Sequence, residues 1–129
     1  MADGQIRQGI AGMGQAVLSA ASLSTISSYA TTTNERGTLR VEFIGMDGTD
    51  NSMLLYAYAV AFENTGGAVT LGTPSALWSL TLGGSSLGAP TIAIATSGGS
   101  VQANVTPANT RTQRWVARIG VLSTEEAYT

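Results

Sequence analysis

From residue 38 onward, apolar and polar side chains alternate with a period of two, which is the pattern of β-strands with one buried face. In the first run, residues 38–46, Leu39, Val41 and Phe43 share one face. Further runs cover residues 53–63, 69–71, 77–82, 91–95, 100–105 and 114–122. Gly-rich turns separate the runs, and no helical pattern lies between them. The pattern predicts an all-β fold, an antiparallel β-sandwich of about seven to eight strands with jelly-roll or immunoglobulin-like topology.

Four large aromatic residues lie among aliphatic residues on the apolar faces of these runs. Phe43 and Phe62 belong to the first two runs, and Trp78 and Trp115 to later ones. A ring with aliphatic neighbours on the same face is typical of a core, whereas exposed rings without such neighbours would indicate a sugar-stacking platform. We therefore predict that Trp78, Trp115, Phe43 and Phe62 anchor the core.

The N-terminal residues follow a different pattern. Ile6, Ile10, Met13 and Val17 recur at spacings of three and four, which would place them on one side of a helix. Four glycines between residues 4 and 14 weaken such a helix by about 1 kcal/mol each, so it would need a partner surface to hold it. An extended arm is the alternative. Either way, we predict that these four apolar side chains make assembly contacts.

A polar stretch at residues 31–37, TTTNERG, separates this segment from the alternating runs. We therefore predict an N-terminal assembly segment with its hinge at residues 1–36 and a β-sandwich domain at residues 37–129. Arg7 is the only basic residue near the start of the chain, and Gly, Ser, Gln and Thr dilute the apolar positions that follow it. The segment therefore matches neither a secretory signal nor a membrane span.

The composition narrows the range of functions. The chain has no cysteine, no histidine and no lysine, and charged residues make up only 11% of its 129 residues, against roughly 25% in an ordinary soluble protein. Disulfides, thiolate nucleophiles and histidine bases are thereby excluded. The six arginines are scattered and the net charge is −2, which argues against a nucleic-acid surface. Low charge favours a surface that is partly covered in an assembly.

Residues with catalytic or ligand-binding potential have simpler structural explanations. Glu42 and Glu63 are the only acids within predicted strands, and pairing with arginines such as Arg40 and Arg118 accounts for a carboxylate on a polar strand face. Residues 47–51, DGTDN, offer oxygen donors for a cation, but the same composition is typical of a hairpin turn. We therefore predict no enzyme activity, no cofactor and no metal site, and leave cation binding by this turn open.

The last run, RWVARIGVL at residues 114–122 followed by Ser-Thr-Glu, resembles the closing strand of small β-sandwich domains in structural proteins of tailed bacteriophages. The run LLYAYAVAFEN, the Gly-Gly-Ala-Val turn after it and the strand with Trp78 fit the same pattern. The resemblance covers roughly residues 38–124 and carries no catalytic motif. It implies a component of the virus particle: a capsid decoration or cement protein, a head fibre, or a tail-fibre or tail-tip domain, often trimeric.

These observations together predict a non-enzymatic structural protein of a bacteriophage particle. We expect a capsid decoration, cement or head-attached protein that assembles through its N-terminal segment in the host cytoplasm and resides in the virion. Its expected partners are other copies of itself, as a trimer, and the major capsid protein or another virion protein, with no nucleic acid and no membrane. The alternatives are a receptor- or glycan-binding tail-fibre or tail-tip module and a subunit of a bacterial surface filament.

Overall fold

The computed structural model describes residues 6–83 and 86–125, and over these ranges the chain forms β-strands and no helix. The strands are β1 (Ile6–Leu18), β2 (Ser24–Ala30), β3 (Glu35–Asp47), β4 (Met53–Thr65), β5 (Ala68–Leu71), β6 (Ser75–Leu82), β7 (Thr91–Ser97), β8 (Ser100–Thr106) and β9 (Gln113–Glu125). All of their pairings are antiparallel, and they build two sheets. The predicted all-β antiparallel sandwich is confirmed.

The large sheet has six strands and brings the two ends of the described chain together. Its order is β1-β9-β3-β4-β5, and β6 also pairs with β4. β4 is long enough for two partners, since β5 pairs with its last residues and β6 with Met53–Ala59. The small sheet has three strands in the order β2-β8-β7. The core lies between the small sheet and one face of the large sheet.

The helical alternative for the N-terminal segment is wrong, because β1 is a full strand of the large sheet. It pairs with β9 from Ile6 opposite Thr124 to Leu18 opposite Gln113. Two of the glycines that weaken a helix, Gly12 and Gly14, let β2 approach this strand closely. A Cβ atom on Gly14 would lie 2.0 Å from the carbonyl oxygen of Ile26 in β2, which is far inside van der Waals contact.

A β-bulge explains why the spacing of apolar residues in β1 imitates a helix. The register with β9 shifts between Ile10 and Gly12, so one extra residue enters the strand. That residue changes the phase of the alternation, and Ile6 and Ile10 before the bulge face the same side as Met13 and Val17 after it. All four side chains are exposed, by 60 to 73%.

The proposed division into residues 1–36 and 37–129 stays a prediction. In the described structure, β1 pairs with β9 and β2 pairs with β8, so the first range contributes strands to both sheets. The expected assembly contacts of this range are therefore positioned by the sandwich itself.

Three of the four predicted core anchors lie in the core. Phe43 and Trp115 are fully buried, and Phe62 is 4% exposed. Gly45 makes room for the Trp115 ring on the neighbouring strand, because a Cβ atom there would lie 2.5 Å from ring carbons. The prediction for Trp78 is wrong: its ring is half-buried on the opposite face of the large sheet, beside Ala57 of β4. In the described structure the small sheet has three strands, and seven of the eight residues of β6 remain exposed.

Candidate functional site: the outer face of the large sheet

The face of the large sheet that points away from the small sheet, here called the outer face, is predominantly apolar. The strand registers place on it Ile6, Ile10, Met13 and Val17 of β1, Val116 and Leu122 of β9, Ile44 and Met46 of β3, Met53 and Leu55 of β4, and Trp78, Leu80 and Leu82 of β6. Leu77, the extra residue of the β6 bulge, lines a groove on the same face. One uncharged row crosses four adjacent strands and consists of Val116, Ile44, Leu55 and Leu80. The apolar surface is therefore continuous.

The exposure of these side chains marks the outer face as an unusual surface. Of the eleven large apolar side chains that are exposed in the described ranges, ten lie on this face, and only Leu23 lies elsewhere. Monomeric soluble proteins rarely expose contiguous apolar patches larger than a few hundred Å², and larger ones usually mark an interaction site. The four predicted assembly residues of β1 form one border of this patch.

Sequence reasoning missed most of this patch, although β4 carries a signal for it. The side of β4 with Leu55, Ala57 and Ala59 is as free of charge as its core side with Leu54 and Val60. Such a strand is expected to be covered on both faces. In the described structure the small sheet covers the core side, and the other side contributes to the outer face, where Leu55 and Ala59 are partly exposed and Ala57 is buried beside Trp78.

Charges cross the outer face in short rows. Its charged residues are Arg36, Arg40, Arg114 and Arg118 together with Glu42 and Glu63. Arg118 Nε donates to Glu42 Oε1 at 3.0 Å, and Arg40 Nε lies 3.9 Å from Glu42 Oε2, so the predicted pairing of Glu42 with arginines is confirmed. Four arginines and two glutamates give the face a formal charge of +2 in a chain whose total is −2.

A shallow groove of about 550 Å³ lies on the outer face beside the Arg118–Glu42 pair. It forms where the sheet carries small residues, Gly120 and Ala59, and its rims include Ile10 and Leu77. On the other side of the ion pair, a second depression of about 190 Å³ has Trp78 in its wall. The outer face therefore offers recesses for protruding side chains as well as flat apolar area.

A buried polar network ties β1 to the rest of the sandwich behind one end of the outer face. Arg7 donates to the Tyr29 hydroxyl at 2.5 Å, and this hydroxyl donates to Glu35 Oε2 at 2.5 Å. Ser123 Oγ also donates to Glu35 Oε2 at 2.5 Å, and the Thr32 backbone N–H donates to Oε1 at 3.0 Å. The network joins β1, β2, β3 and β9 through one carboxylate.

The network shifts the ionisation of both of its acidic groups. Burial raises the pKa of Glu35, but the hydrogen bonds from Ser123, Tyr29 and Thr32 and the charge of Arg7 outweigh it and leave this pKa below its usual value. The pKa of Tyr29 is raised, first by burial and then by its hydrogen bond to Glu35. Glu35 is therefore a buried carboxylate that stays ionised because donors surround it.

A second polar cluster uses the oxygen donors of the turn at residues 47–51. The buried carboxylate of Asp47 pairs with Arg111 and accepts hydrogen bonds from the Thr49 N–H at 2.6 Å and the Ser86 hydroxyl at 2.8 Å. The hydrogen bond from Arg111 is the main reason why the pKa of Asp47 lies far below its usual range. Among the described residues, no group of three or more Asp, Glu, His or Cys side chains is placed to hold a metal ion.

Comparison with known proteins adds one distant structural likeness. No protein-family model and no curated protein sequence matches the chain. The structure is similar to the crystal structure of the Acinetobacter phage vB_ApiP_P1 tailspike protein, with 16% sequence identity and a TM-score of 0.41. The match covers 92% of this chain and 22% of the tailspike chain. Within the described ranges, no helix has the length and apolar character to cross a membrane.

Proposed function

We propose that this protein is a non-enzymatic structural component of a bacteriophage particle, a capsid decoration or cement protein that attaches through the outer face of its large sheet. The observation that carries the proposal is the concentration of exposed apolar side chains on that one face. An exposed apolar surface of this kind is unfavourable in water for a free domain. A protein that is permanently bound to a neighbour buries this surface in the interface.

The size of the outer face suits a stable protein interface. The sheet is five strand positions wide, because β5 and β6 share the position beside β4. At about 4.8 Å per strand and about 3.3 Å per residue along the 13-residue strands, it measures about 24 by 43 Å, or roughly 1,000 Å². A standard interface buries about 800 Å² on each partner. The four side chains of β1 alone would cover only one border of that area, so attachment uses the whole sheet face.

The charge of the outer face indicates the chemistry of the partner. Two outer faces stacked on each other would bring two surfaces of formal charge +2 together, which is unfavourable when water is excluded. An apolar surface with acidic residues at its rim complements Arg114 and Arg40 instead. We therefore assign the outer face to a different virion protein, such as the major capsid protein, with an apolar and net acidic contact surface.

The remaining features support a structural role. The strand order and apolar positions resemble β-sandwich domains of phage structural proteins, and the scarcity of charge fits a surface that is largely in contact with neighbours. The two carboxylates on the outer face are engaged, Glu42 with Arg118 and Glu63 with Arg36 at 3.9 Å. A hydrolase built on two carboxylates would instead need a free pair that faces its substrate.

The proposal is tested with purified particles of the phage that encodes the chain. The protein should be detected in these particles by mass spectrometry, and tagged protein should cosediment with particles that lack it. Met13→Glu places a charge in the outer face at a side chain that is 63% exposed, so folding should be unaffected while binding falls by at least about tenfold. Leu23→Glu makes the same change at a site 62% exposed outside the face and should bind like the wild type.

Absence of the chain from purified particles, or equal binding by both variants, would overturn the proposal. Removal of residues 1–30 is a poorer test than these point variants. It would delete β1 and β2 and open the core, so lost binding would report unfolding.

A further inference from the structure

Strand β6 has an open hydrogen-bonding edge. It pairs with β4 on one side, and no other strand of the described structure pairs with it. Both of its faces are also uncovered: seven of its eight residues are exposed, and Trp78 is half-buried. An exposed apolar edge strand is a template for pairing with another strand, and natural proteins usually protect such edges.

The other edges of the two sheets carry protection that β6 lacks over most of its length. β1 contains a bulge and lies against β2, and β5 has only four residues. β7 is flanked at its turn by β5, where the Val69 N–H donates to the Gly98 carbonyl at 3.2 Å. β6 has one bulge, at Leu77, after which its register with β4 is regular through Leu82.

The regular part of β6 is suited to pairing with a copy of itself. Its sequence from Trp78 to Leu82, WSLTL, alternates apolar and hydroxyl side chains symmetrically about Leu80. In an antiparallel pair centred on Leu80, Trp78 of each copy would face Leu82 of the other, and Ser79 would face Thr81. Only Leu80, on the two-fold axis, would face its own copy. Like charges directly opposite each other destabilise a strand pair, and β6 contains no charged residue that could form such a pair.

We propose that β6 pairs antiparallel with β6 of a second copy about a two-fold axis at Leu80, joining two large sheets into one continuous sheet of twelve strands. The axis is perpendicular to the sheet, so both outer faces point to the same side and Leu80 and Leu82 of the two copies extend one apolar surface. This pairing uses an edge and leaves the outer face free. It is therefore independent of the attachment proposed above.

Cysteine cross-linking tests the pairing directly, because the chain has no cysteine of its own. Residues directly opposite in an antiparallel pair have Cα atoms about 4.5–5.5 Å apart, which falls within the range that a disulfide spans. Leu80→Cys should therefore form a covalent dimer under mild oxidation. Leu23→Cys is a matched control, since Leu23 and Leu80 are 62% and 55% exposed, and it should form no covalent dimer under the same conditions.

Equal cross-linking of the two cysteine variants would show random collision and overturn the proposal. Leu82→Cys, which would face Trp78 of the other copy, should cross-link less than Leu80→Cys, and the reverse order would overturn the axis at Leu80.

Sedimentation velocity tests the same pairing without a covalent cross-link. The wild-type protein should reach twice the monomer mass of 13.2 kDa at concentrations up to about 100 µM. Thr81→Lys adds a charge to the strand on the side away from the outer face and should weaken the dimer at least about tenfold. Thr110→Lys adds the same charge to an exposed loop and should leave the dimer unchanged.

Two-fold pairing differs from the trimer that the sequence resemblance implied. A trimer, a wild-type monomer throughout this range, or an open series of larger species would each overturn two-fold pairing. The two proposals can be tested independently. Met13→Glu should abolish particle binding and keep the dimer, whereas Thr81→Lys should weaken the dimer and keep particle binding.

Discussion

Replacing Glu35 with glutamine isolates the buried network that holds β1 and β2 in the sandwich. The substitution keeps the size of the side chain but removes the negative charge and one of the two acceptor oxygens. In the wild type these oxygens accept from the Tyr29 and Ser123 hydroxyls and from the Thr32 N–H. The NH₂ group of glutamine must replace either the oxygen that accepts from the Tyr29 and Ser123 hydroxyls or the oxygen that accepts from the Thr32 N–H. In either orientation at least one buried donor loses its acceptor.

The cost follows from the number and type of these hydrogen bonds. A hydrogen bond to a charged group contributes about 1.5–3 kcal/mol, and a buried donor without an acceptor costs about 1–3 kcal/mol. Because the hydroxyls can rotate toward other acceptors, we expect Glu35→Gln to lower the free energy of unfolding by about 2–3 kcal/mol. For a domain of 129 residues this corresponds to a fall in Tm of roughly 8–12 °C.

The effect has a defined pH dependence. The pKa of Glu35 in the folded protein lies below its usual value of about 4.5, so the folded state favours the ionised form. The stability contributed by this shift is present above pH 4.5 and is lost as the pH falls through the folded pKa. The gap in stability between the wild type and Glu35→Gln should therefore be constant from pH 6 to 8 and narrow below about pH 4.5.

Urea unfolding followed by tryptophan fluorescence, repeated across this pH range, measures the difference in stability between the two proteins. Glu63→Gln is the control, because its side chain is 48% exposed and lies 3.9 Å from Arg36, so it should change stability by less than about 0.5 kcal/mol. A variant as stable as the wild type at pH 7, or a gap that does not narrow in acid, would refute the account of the network.

Two further substitutions probe the core and the turn at residues 47–51. Gly45→Ala should lower the free energy of unfolding by about 3 kcal/mol in denaturant titrations, since its Cβ would lie 2.5 Å from the buried Trp115 ring; unchanged stability would contradict this packing. Arg111→Ala should lower Tm because it leaves the buried carboxylate of Asp47 without its main partner. Asp47→Asn in the same background should recover part of the loss, and the absence of any recovery would argue against the pair.

The sequence by itself determined the class of the fold and much of the core. Alternation in β3 and β9 distinguishes a core side with Phe43 and Trp115 from a side that carries the charges of Glu42 and Arg118, and the structure has these sides as predicted. Side chains alternate between the two sides of any strand, so this division of residues is the same whichever strands pair with it. The missing histidine and cysteine likewise limit the available chemistry without reference to any structure.

Only the tertiary structure decided the state of β1 and the side on which Trp78 lies. The bulge between Ile10 and Gly12 forms against β9, which is about a hundred residues away in sequence, and it turns a strand pattern into an apparent helical one. β6 and β4 have apolar residues on the side that stayed open, and the small sheet covers only the other side of the large one. Local periodicity shows that a strand has two sides, but which side is buried depends on the elements that pack against it.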